Sequence, residues 1–550
     1  MPIWETLATP DPQTAARYRA AGWWRESTFL DDLAGAAERR PNHPAIISYE
    51  GGEPAKTLTY AELADTVARF AGALRELGVG PGDVVVLYLP NLWMLTPLYL
   101  ACNRIGAVSS PVIPVLGGRE LAHVLRASSA KVAVTIDSFD GVDYAGRLVE
   151  AAPETLEHRV VVGDAAATGA IDFEEFFVRA DRDPGDPGDV VPLGPDDPAL
   201  LLYTSGTTGT MKAVVHSQNT VYAAVRAVSE PYGLTEDDVI SIPNYLTHMA
   251  GMSYAVYMPL HLGGTCVMQD TNTDMELLLD LIAAHRISWA YCAPGYLVKL
   301  LAGQRKNPRD AASLNRIVSG SAPIQPQLIS DVREVFDIPL HALWGMTENG
   351  GVTVTRPDDP EGWAAHSDGR SMPWMEIKVV PDAEAEEGAG KLLVRGASQC
   401  LGYLGQRELY ENCLDAEGWF DTGDLAREDG RGGIRITGRR VDLITRASGQ
   451  KVSTLEVEAV LLRHPAVSEV VLVGYPDPAV PGADLVCAVV VSDGPPASLE
   501  DLREHLAAEK MAKVLWPDRL QFVWQLPKNS LGKVLRQPLR ERLEIAASPR

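Results

Sequence analysis

The stretch TSGTTGTMKAVVHS, residues 204 to 217, follows the apolar run Leu201-Leu202-Tyr203, and its first seven positions are all Thr, Ser or Gly. A Gly/Ser/Thr run placed after a strand can wrap a phosphate chain. Glycine lets backbone N–H groups approach the anion, and the hydroxyls add donors. Lys212 would supply the countercharge. The spacing is not that of a P-loop, which needs GxxxxGK followed by Ser or Thr. Here Met211 precedes the lysine and Ala213 follows it. A flexible surface turn is the other reading of such a run.

Three further stretches hold residues of the same chemistry. In HALWGMTENGG, 341 to 351, Glu348 can hold Mg2+, Thr347 can donate to a phosphate, and Trp344 can stack on a base or fill a core. In GWFDTGDLAREDGRGGIRITGRRVD, 418 to 442, Asp424 lies between two turn signals. A carboxylate there can accept from both hydroxyls of a ribose, or it can cap an Asx-turn. In LPKNSLGKVLR, 526 to 536, Lys533 follows a Pro/Asn/Ser/Gly loop. Alone, that lysine reads as a solvated surface charge.

The elements that must position these residues alternate. Residues 59 to 78 read as an amphipathic helix, with a Thr59/Glu62 capping box and Gly78 as its stop. Leu63, Val67, Phe70, Leu74 and Leu77 share one face. VVVLYLP (84–90) is a buried strand after a GPGD turn, LAHVLRASSAKVAVTI repeats the helix-then-strand order, and RVVVG (159–163) is another strand. The acidic, Pro/Gly-rich run 181 to 197 reads as a loop between subdomains. The order then resumes with strand 198–203, a helix from about 217, strand 239–243, an apolar helix near 250–262 and strand 264–268. SIPNYLTHMAGMSYAVYMPLHLGGTCVM loosely echoes VVVLYLPNLWMLTPLYLACNRIGAVSSPV, which suggests two related α/β layers. From about 370 the pattern turns β-rich, and after Arg440 a segment of about 110 residues is large enough for a small α+β domain. The expected fold class is α/β: two α/β layers and a β-rich subdomain, then a small, mobile α+β C-terminal domain.

The 550 residues carry a net charge of −24, which argues against nucleic acid and anionic membrane surfaces as partners. Any bound polyphosphate must be held by local donors. The six cysteines are spread widely with no CxxC pair, so free thiols in a reducing cytoplasm are expected. The N-terminus does not read as a signal peptide, and no run reaches the length of a membrane span. A cytoplasmic protein is the expectation.

Taken together, in this order and spacing, the four stretches resemble the adenylate-forming superfamily. It includes acyl- and aryl-CoA synthetases, the adenylation domains of peptide synthetases, and firefly-type luciferases. SGSAPI (319–324), VRGASQCLGY (394–403) and HMAG (248–251) add to the resemblance, which runs from about residue 24 to 540. The length and the WGMTE form look most like ligases that join free carboxylic acids to CoA. The resemblance implies ATP, Mg2+ and CoA. Thr204, Ser205, Gly206, Thr207, Thr208 and Gly209, with Lys212, would cradle the β- and γ-phosphates. Trp344 and Gly345 would lie at the adenine, with Ser321, Ala322 and Pro323 beside it. Thr347 would meet the α-phosphate, and Glu348 and Thr204 the Mg2+. Asp424 would bind the ribose, assisted by Arg439. Lys533 would reach the carboxylate and the α-phosphate, and His248 would stand near the acyl pocket. It also implies an N-terminal domain over 1–438, a hinge at 439–441 and a mobile C-terminal domain over 442–550.

The chain departs from the family's Pro-Lys-Gly at Met211-Lys212-Ala213, and Val441 stands where a charged hinge residue is usual. The loop before Gly449 reads as one residue longer. These departures bear on the second half-reaction. The leading reading is an acid–CoA ligase acting on a small carboxylic acid. A second keeps adenylation but changes the acceptor to a carrier-protein thiol, an amine or nitrite. A third is a nucleotide-binding protein without turnover. The Tyr, Met, Ala and Gly of 245–253 and 291–296 suit an aryl or medium alicyclic acid.

Overall fold

The computed structural model describes the whole chain except residues 1–3, 5–6, 8–11, 181–190, 205–210, 271–273, 383–384, 386–387, 447–450, 453, 479, 481–482, 493, 529–533 and 548–550. Its fold is mixed α/β and divides into two compact units. One comprises Met1–Ala365, Ser371–Glu376 and Gly396–Asn412; the other comprises His366–Arg370, Ile377–Arg395 and Cys413–Arg550. The expected hinge at 439–441 falls within the second unit, where the strand Gly433–Arg439 meets the helical turn Arg440–Asp442.

Besides the small hairpin of Ser138–Phe139 with Val142–Asp143, the first unit holds strands of two large sheets. One runs in the order Gly402–Tyr403, Lys212–Ser217, Pro198–Thr204, Val108–Pro111, Val84–Tyr88, Val132–Ile136, His158–Val162, Ile171–Asp172. Its pairs are parallel from Pro198–Thr204 to the far edge and antiparallel at the Gly402–Tyr403 end. In the other, Arg316–Ser319 lies parallel between Trp289–Tyr291 and Leu340–Met346, and Gly350–Val354 pairs antiparallel with Leu340–Met346. The two sheets, each with a parallel run of strands, agree with the two layers read from the sequence echo. Each has its own apolar core: Val84, Val86, Val108, Leu121, Leu125, Leu201 and Val215 in one, and Leu278, Ile282, Leu297, Leu300, Ile317 and Val332 in the other.

The helix expected over 59–78 spans Tyr60–Glu76, with both halves of the Thr59/Glu62 capping box made and Gly78 at φ 74°. The expected apolar helix near 250–262 is not one regular α-helix. It consists of a turn Met249–Gly251, a π-helical stretch Met252–Tyr257 and a short helix Met258–Leu262. Pro259 is the physical reason. It has no N–H for the carbonyl four residues back and crowds that carbonyl, and a wider register relieves both.

In the second unit, Phe420–Glu428 lies antiparallel between Ala389–Gly396 and Gly433–Arg439. The C-terminal segment builds a sheet of Glu469–Pro476, Asp484–Val491 and Arg519–Phe522 with the helices Thr454–Leu461, Leu499–Ala508 and Arg536–Ala547. All six cysteines are free thiols, five of them buried. Among the described residues, no helix is long and apolar enough to cross a membrane.

Candidate active site

Lys212 does not sit in a loop. Pro198–Thr204 and Lys212–Ser217 are antiparallel partners, and Thr204 faces Lys212 as the last pair in register. The hairpin therefore delivers the lysine to the strand end where the Gly/Ser/Thr run starts. Ser205, Gly206, Thr207, Thr208 and Gly209 lie outside the described residues. Met211 packs against the core of this sheet, and Ala213 is buried within it. The two apolar neighbours thus anchor the strand on which Lys212 is presented, and an extended strand has no need of glycine at 213.

Glu348 comes from the other sheet, in the turn between Leu340–Met346 and Gly350–Val354. Its side chain is buried, and its Oε1 lies 4.0 Å from Lys212 Nζ. Between them stands Tyr403. Its hydroxyl donates to Glu348 Oε1 at 2.8 Å and accepts from Lys212 Nζ at 3.3 Å, while the ammonium sits 5.0 Å from the ring centroid. The main chain of the same segment is fixed too: Cys400 N–H donates to Glu348 O at 2.7 Å, and Leu401 and Leu404 bond to Val215 and Ala213.

His216 holds the neighbouring residue. Its Nε2 lies 2.7 Å from Thr347 O and its Nδ1 2.9 Å from Thr220 Oγ1. A carbonyl only accepts, so Nε2 carries the proton. Burial pushes this imidazole down to about 4, against the opposing pull of the Thr347 hydrogen bond. The ring is therefore neutral near pH 7, and Nδ1 accepts from the Thr220 hydroxyl.

Trp344 is half-buried on the strand Leu340–Met346, opposite Thr353, and the register shifts between it and Gly345. A Cβ on Gly345 would meet Gly350 O at 2.1 Å, so this bulge requires glycine. Ser321, Ala322 and Pro323 are exposed just past the neighbouring parallel strand Arg316–Ser319. Ser321 adopts φ 69°, and its hydroxyl lies 2.8 Å from Tyr291 Oη. Burial pushes that phenol up to about 12, so it stays protonated and can donate. Ligands in open α/β sheets gather at such carboxyl ends of strands. His248 caps the turn Met249–Gly251, accepting from Ala250 N–H at 3.3 Å, and burial pushes its imidazole down to about 4.

In the second unit, Asp424 and Arg439 face each other across two strands, with Arg439 Nε 3.0 Å from a buried Asp424 Oδ1. The Asx-turn of this stretch belongs to Asp421, which accepts from Gly423 N–H at 2.9 Å. Lys533 lies outside the described residues. Val534, the residue after it, forms a bridge with Lys528.

Comparison with known proteins decides what this arrangement is. Residues 33–404 match the AMP-binding enzyme family and residues 456–533 match the AMP-binding enzyme C-terminal domain. The chain belongs to the AMP-binding enzyme family. It is 30% identical over 546 residues to a medium-chain fatty-acid–CoA ligase of Escherichia coli, covering 97% of this chain and 93% of that protein. It is 32% identical over 551 residues to the salicyl-AMP ligase / salicyl-S-ArCP synthetase of Mycobacterium tuberculosis, covering 97% and 94%. The crystal structure of the anthranilate CoA ligase AuaEII in complex with anthranoyl-AMP superimposes with a TM-score of 0.83 at 25% identity, covering 95% of this chain and 98% of that one. This AMP-binding enzyme is an adenylate-forming acid ligase, and its relatives differ in acceptor.

The donor set of this AMP-binding enzyme fits Mg2+. Among the described residues, no group of three or more His, Cys, Asp or Glu could hold a metal ion. Mg2+ is typically bound through one or two carboxylates plus substrate phosphates, and Glu348 beside Lys212 offers one such carboxylate. Sequence reasoning missed two residues here, Tyr403 and His216, whereas Tyr291 opens the stretch 291–296 read as suited to the acid, and it bonds Ser321. Tyr403 and His216 lie inside stretches singled out for other reasons, but their partners are set by strand pairing. No local pattern marks that.

Proposed function

We propose that this chain activates a small carboxylic acid with ATP, releasing pyrophosphate, and passes the acyl group to the thiol of CoA. The observation that carries the reading is Lys212 held 4.0 Å from Glu348. Distant parts of the chain place a cation suited to phosphate next to a carboxylate suited to a metal. The expectation of bound turnover rests further on Thr347 and Asp424, which are both present and both fixed by neighbours.

The substrate carboxylate oxygen attacks the α-phosphorus, and the bond from that phosphorus to the pyrophosphate oxygen breaks. Two anions meet in this step, so positioned cations and donors do most of the work. Lys212 and the run from Thr204 take the β- and γ-phosphates, and Thr347 donates to the α-phosphate. Trp344 and Gly345, with Ser321, Ala322 and Pro323, take the adenine. Asp424, oriented by Arg439, accepts from the ribose hydroxyls. Glu348 and Thr204 would hold Mg2+, which neutralises phosphate charge when bound. Lys533 bridges the incoming carboxylate and the α-phosphate. His248, neutral at pH 7, lines the acid's site as a hydrogen-bonding ring and not as a cation. In the second step the thiolate sulfur attacks the acyl carbon and AMP departs with the bonding electrons. Rotation about 439–441 withdraws Lys533 between the steps.

A second acceptor is supported by the likeness to the salicyl-S-ArCP synthetase and by Val441 at the hinge. That reading ends in a carrier-protein thiol, an amine or nitrite in place of CoA. The acid is proposed as aryl or medium alicyclic. ATP–pyrophosphate exchange over a panel of aliphatic and aromatic acids tests adenylation. Mass spectrometry with CoA present then tests the acceptor: a thioester supports CoA, and a persisting acyl-AMP contradicts it.

A further inference from the structure

Lys212 and Glu348 are opposite charges 4.0 Å apart, and the proposed chemistry needs both of them for other partners. The lysine must turn to phosphate, and the carboxylate must turn to a divalent cation. A direct salt bridge between them would compete with both. The pair stands at the outer limit of a salt bridge, with the Tyr403 hydroxyl bonded to both charges. The hydroxyl proton of Tyr403 goes to Glu348 Oε1 at 2.8 Å, its lone pair faces Lys212 Nζ at 3.3 Å, and the ammonium lies 5.0 Å from its ring centroid, on the hydroxyl side. The tyrosine is itself immobilised. It is buried, it pairs with Val214 in the sheet, and its ring packs edge-on against Tyr410 at 5.2 Å. The same segment holds Glu348 by its carbonyl and reaches Met211 O through Gln406 Nε2 at 3.2 Å.

We propose that Tyr403 is a positioning residue for the metal–triphosphate site: its hydroxyl keeps Glu348 aimed at the divalent cation and keeps Lys212 from closing on it. A neutral hydroxyl is suited to this. It satisfies one oxygen of the carboxylate without cancelling its charge, and it holds the ammonium without neutralising it. Removing the oxygen takes away the group that both charges bond and lets the two charges collapse together. Nucleotide binding must then break that pair. The loss falls on the metal that Glu348 would hold and, to a lesser degree, on the phosphate that Lys212 would meet. This inference rests on the reading of Glu348 as the Mg2+ carboxylate.

The test is calorimetric titration of the full chain with a non-hydrolysable α,β-methylene ATP analogue over a series of Mg2+ concentrations. The wild-type enzyme, Tyr403→Phe and Tyr410→Phe are compared, with a thermal melt of each. Tyr410 is a control from the same segment: its hydroxyl donates to Cys400 O at 3.0 Å and accepts from Gln399 Nε2 at 3.1 Å. Y403F is expected to need about tenfold more Mg2+ for half-maximal affinity, the scale of one hydrogen bond to a charged group. Binding without Mg2+ weakens by a smaller factor, because Lys212 must leave Glu348 to meet phosphate, and Y410F follows the wild type. A Mg2+ dependence of Y403F that superimposes on the wild type overturns the proposal, as does an equal shift in Y410F. If Y403F melts far below the wild type, the cycle with Glu348→Gln decides: Y403F must add no further Mg2+ shift in the E348Q background. A wild-type enzyme whose binding ignores Mg2+ would instead overturn the reading of Glu348 itself.

Discussion

On the proposed mechanism, Lys533 is the residue on which the first half-reaction most depends. It would supply charge to an approach of two anions and take no part in holding the adenosine. Lys533→Ala is expected to cut pyrophosphate exchange by about a hundredfold to a thousandfold, the cost of losing one preorganised electrostatic group. ATP binding by calorimetry should stay close to the wild type. Unchanged exchange would refute the assignment. His216 gives a second expectation at this scale. Its neutral ring is bonded between Thr347 O and Thr220, and burial lowers its pKa from 6.5 to about 4. The unfolded chain therefore binds this proton first. The stabilisation is complete above pH 6.5 and is lost as pH falls towards 4, to a total of about 3 kcal/mol. Melting temperatures of wild type and His216→Gln across pH 4 to 8 check this. The wild type's advantage should shrink as pH falls through that window, and a pH-independent difference would contradict it. Lys212, Thr347, Glu348 and Asp424 could be singled out as candidates in the sequence because each lies in a short pattern whose order along the chain is informative. Tyr403 could not: its proposed role arises from Val214 and Val215 pairing with Gly402–Tyr403, a contact between distant residues.

At the scale of elements, the sequence reading was best where local chemistry decides. Thr59 and Glu62 cap Tyr60–Glu76 as their spacing predicts. It was weakest over 249–262, where Pro259 lies inside an apolar run and the helix takes a π-register that hydrophobicity alone does not reveal. The strand Gly350–Val354 also depends on a tertiary contact. A Cβ on Gly351 would lie 2.4 Å from the Tyr254 hydroxyl oxygen, with Leu343 and Ala227 beyond it. Gly351 has no left-handed φ, so space alone demands glycine there. Gly351→Ala is expected to cost about 1–3 kcal/mol, the usual range for overpacking. Tyr254→Phe in the same chain should restore much of it, because it removes the atom in the way. Thermal melts of the single and double variants check this. A double variant no more stable than G351A would show that the obstruction is elsewhere. The turn that follows Trp344 and carries Glu348 leads into this strand, so G351A should also weaken nucleotide binding.

At the scale of the molecule, a net charge of −24 must coexist with a bound polyphosphate. The overall field repels the ligand, and binding relies on donors concentrated at strand ends. Lys212 and Thr204 form the end pair of one hairpin and Thr347 lies in the turn after a strand of the other sheet, all within the first unit, while Asp424 and Arg439 are paired within the second. The α/β order, the β-rich region and the C-terminal segment were all legible from strand and helix periodicity. The grouping of 377–395 and 413–439 with the C-terminal segment was not, because compactness depends on long-range packing. The acid and the acceptor are likewise properties of whole-chain shape and not of any single stretch. The most direct test of the account is ATP–pyrophosphate exchange by the full chain over a panel of aliphatic, alicyclic and aromatic acids, beside a working control ligase. The account predicts exchange that depends on the acid, strongest with an aryl or alicyclic acid, and a CoA thioester once CoA is added. Exchange with no acid in the panel would contradict it.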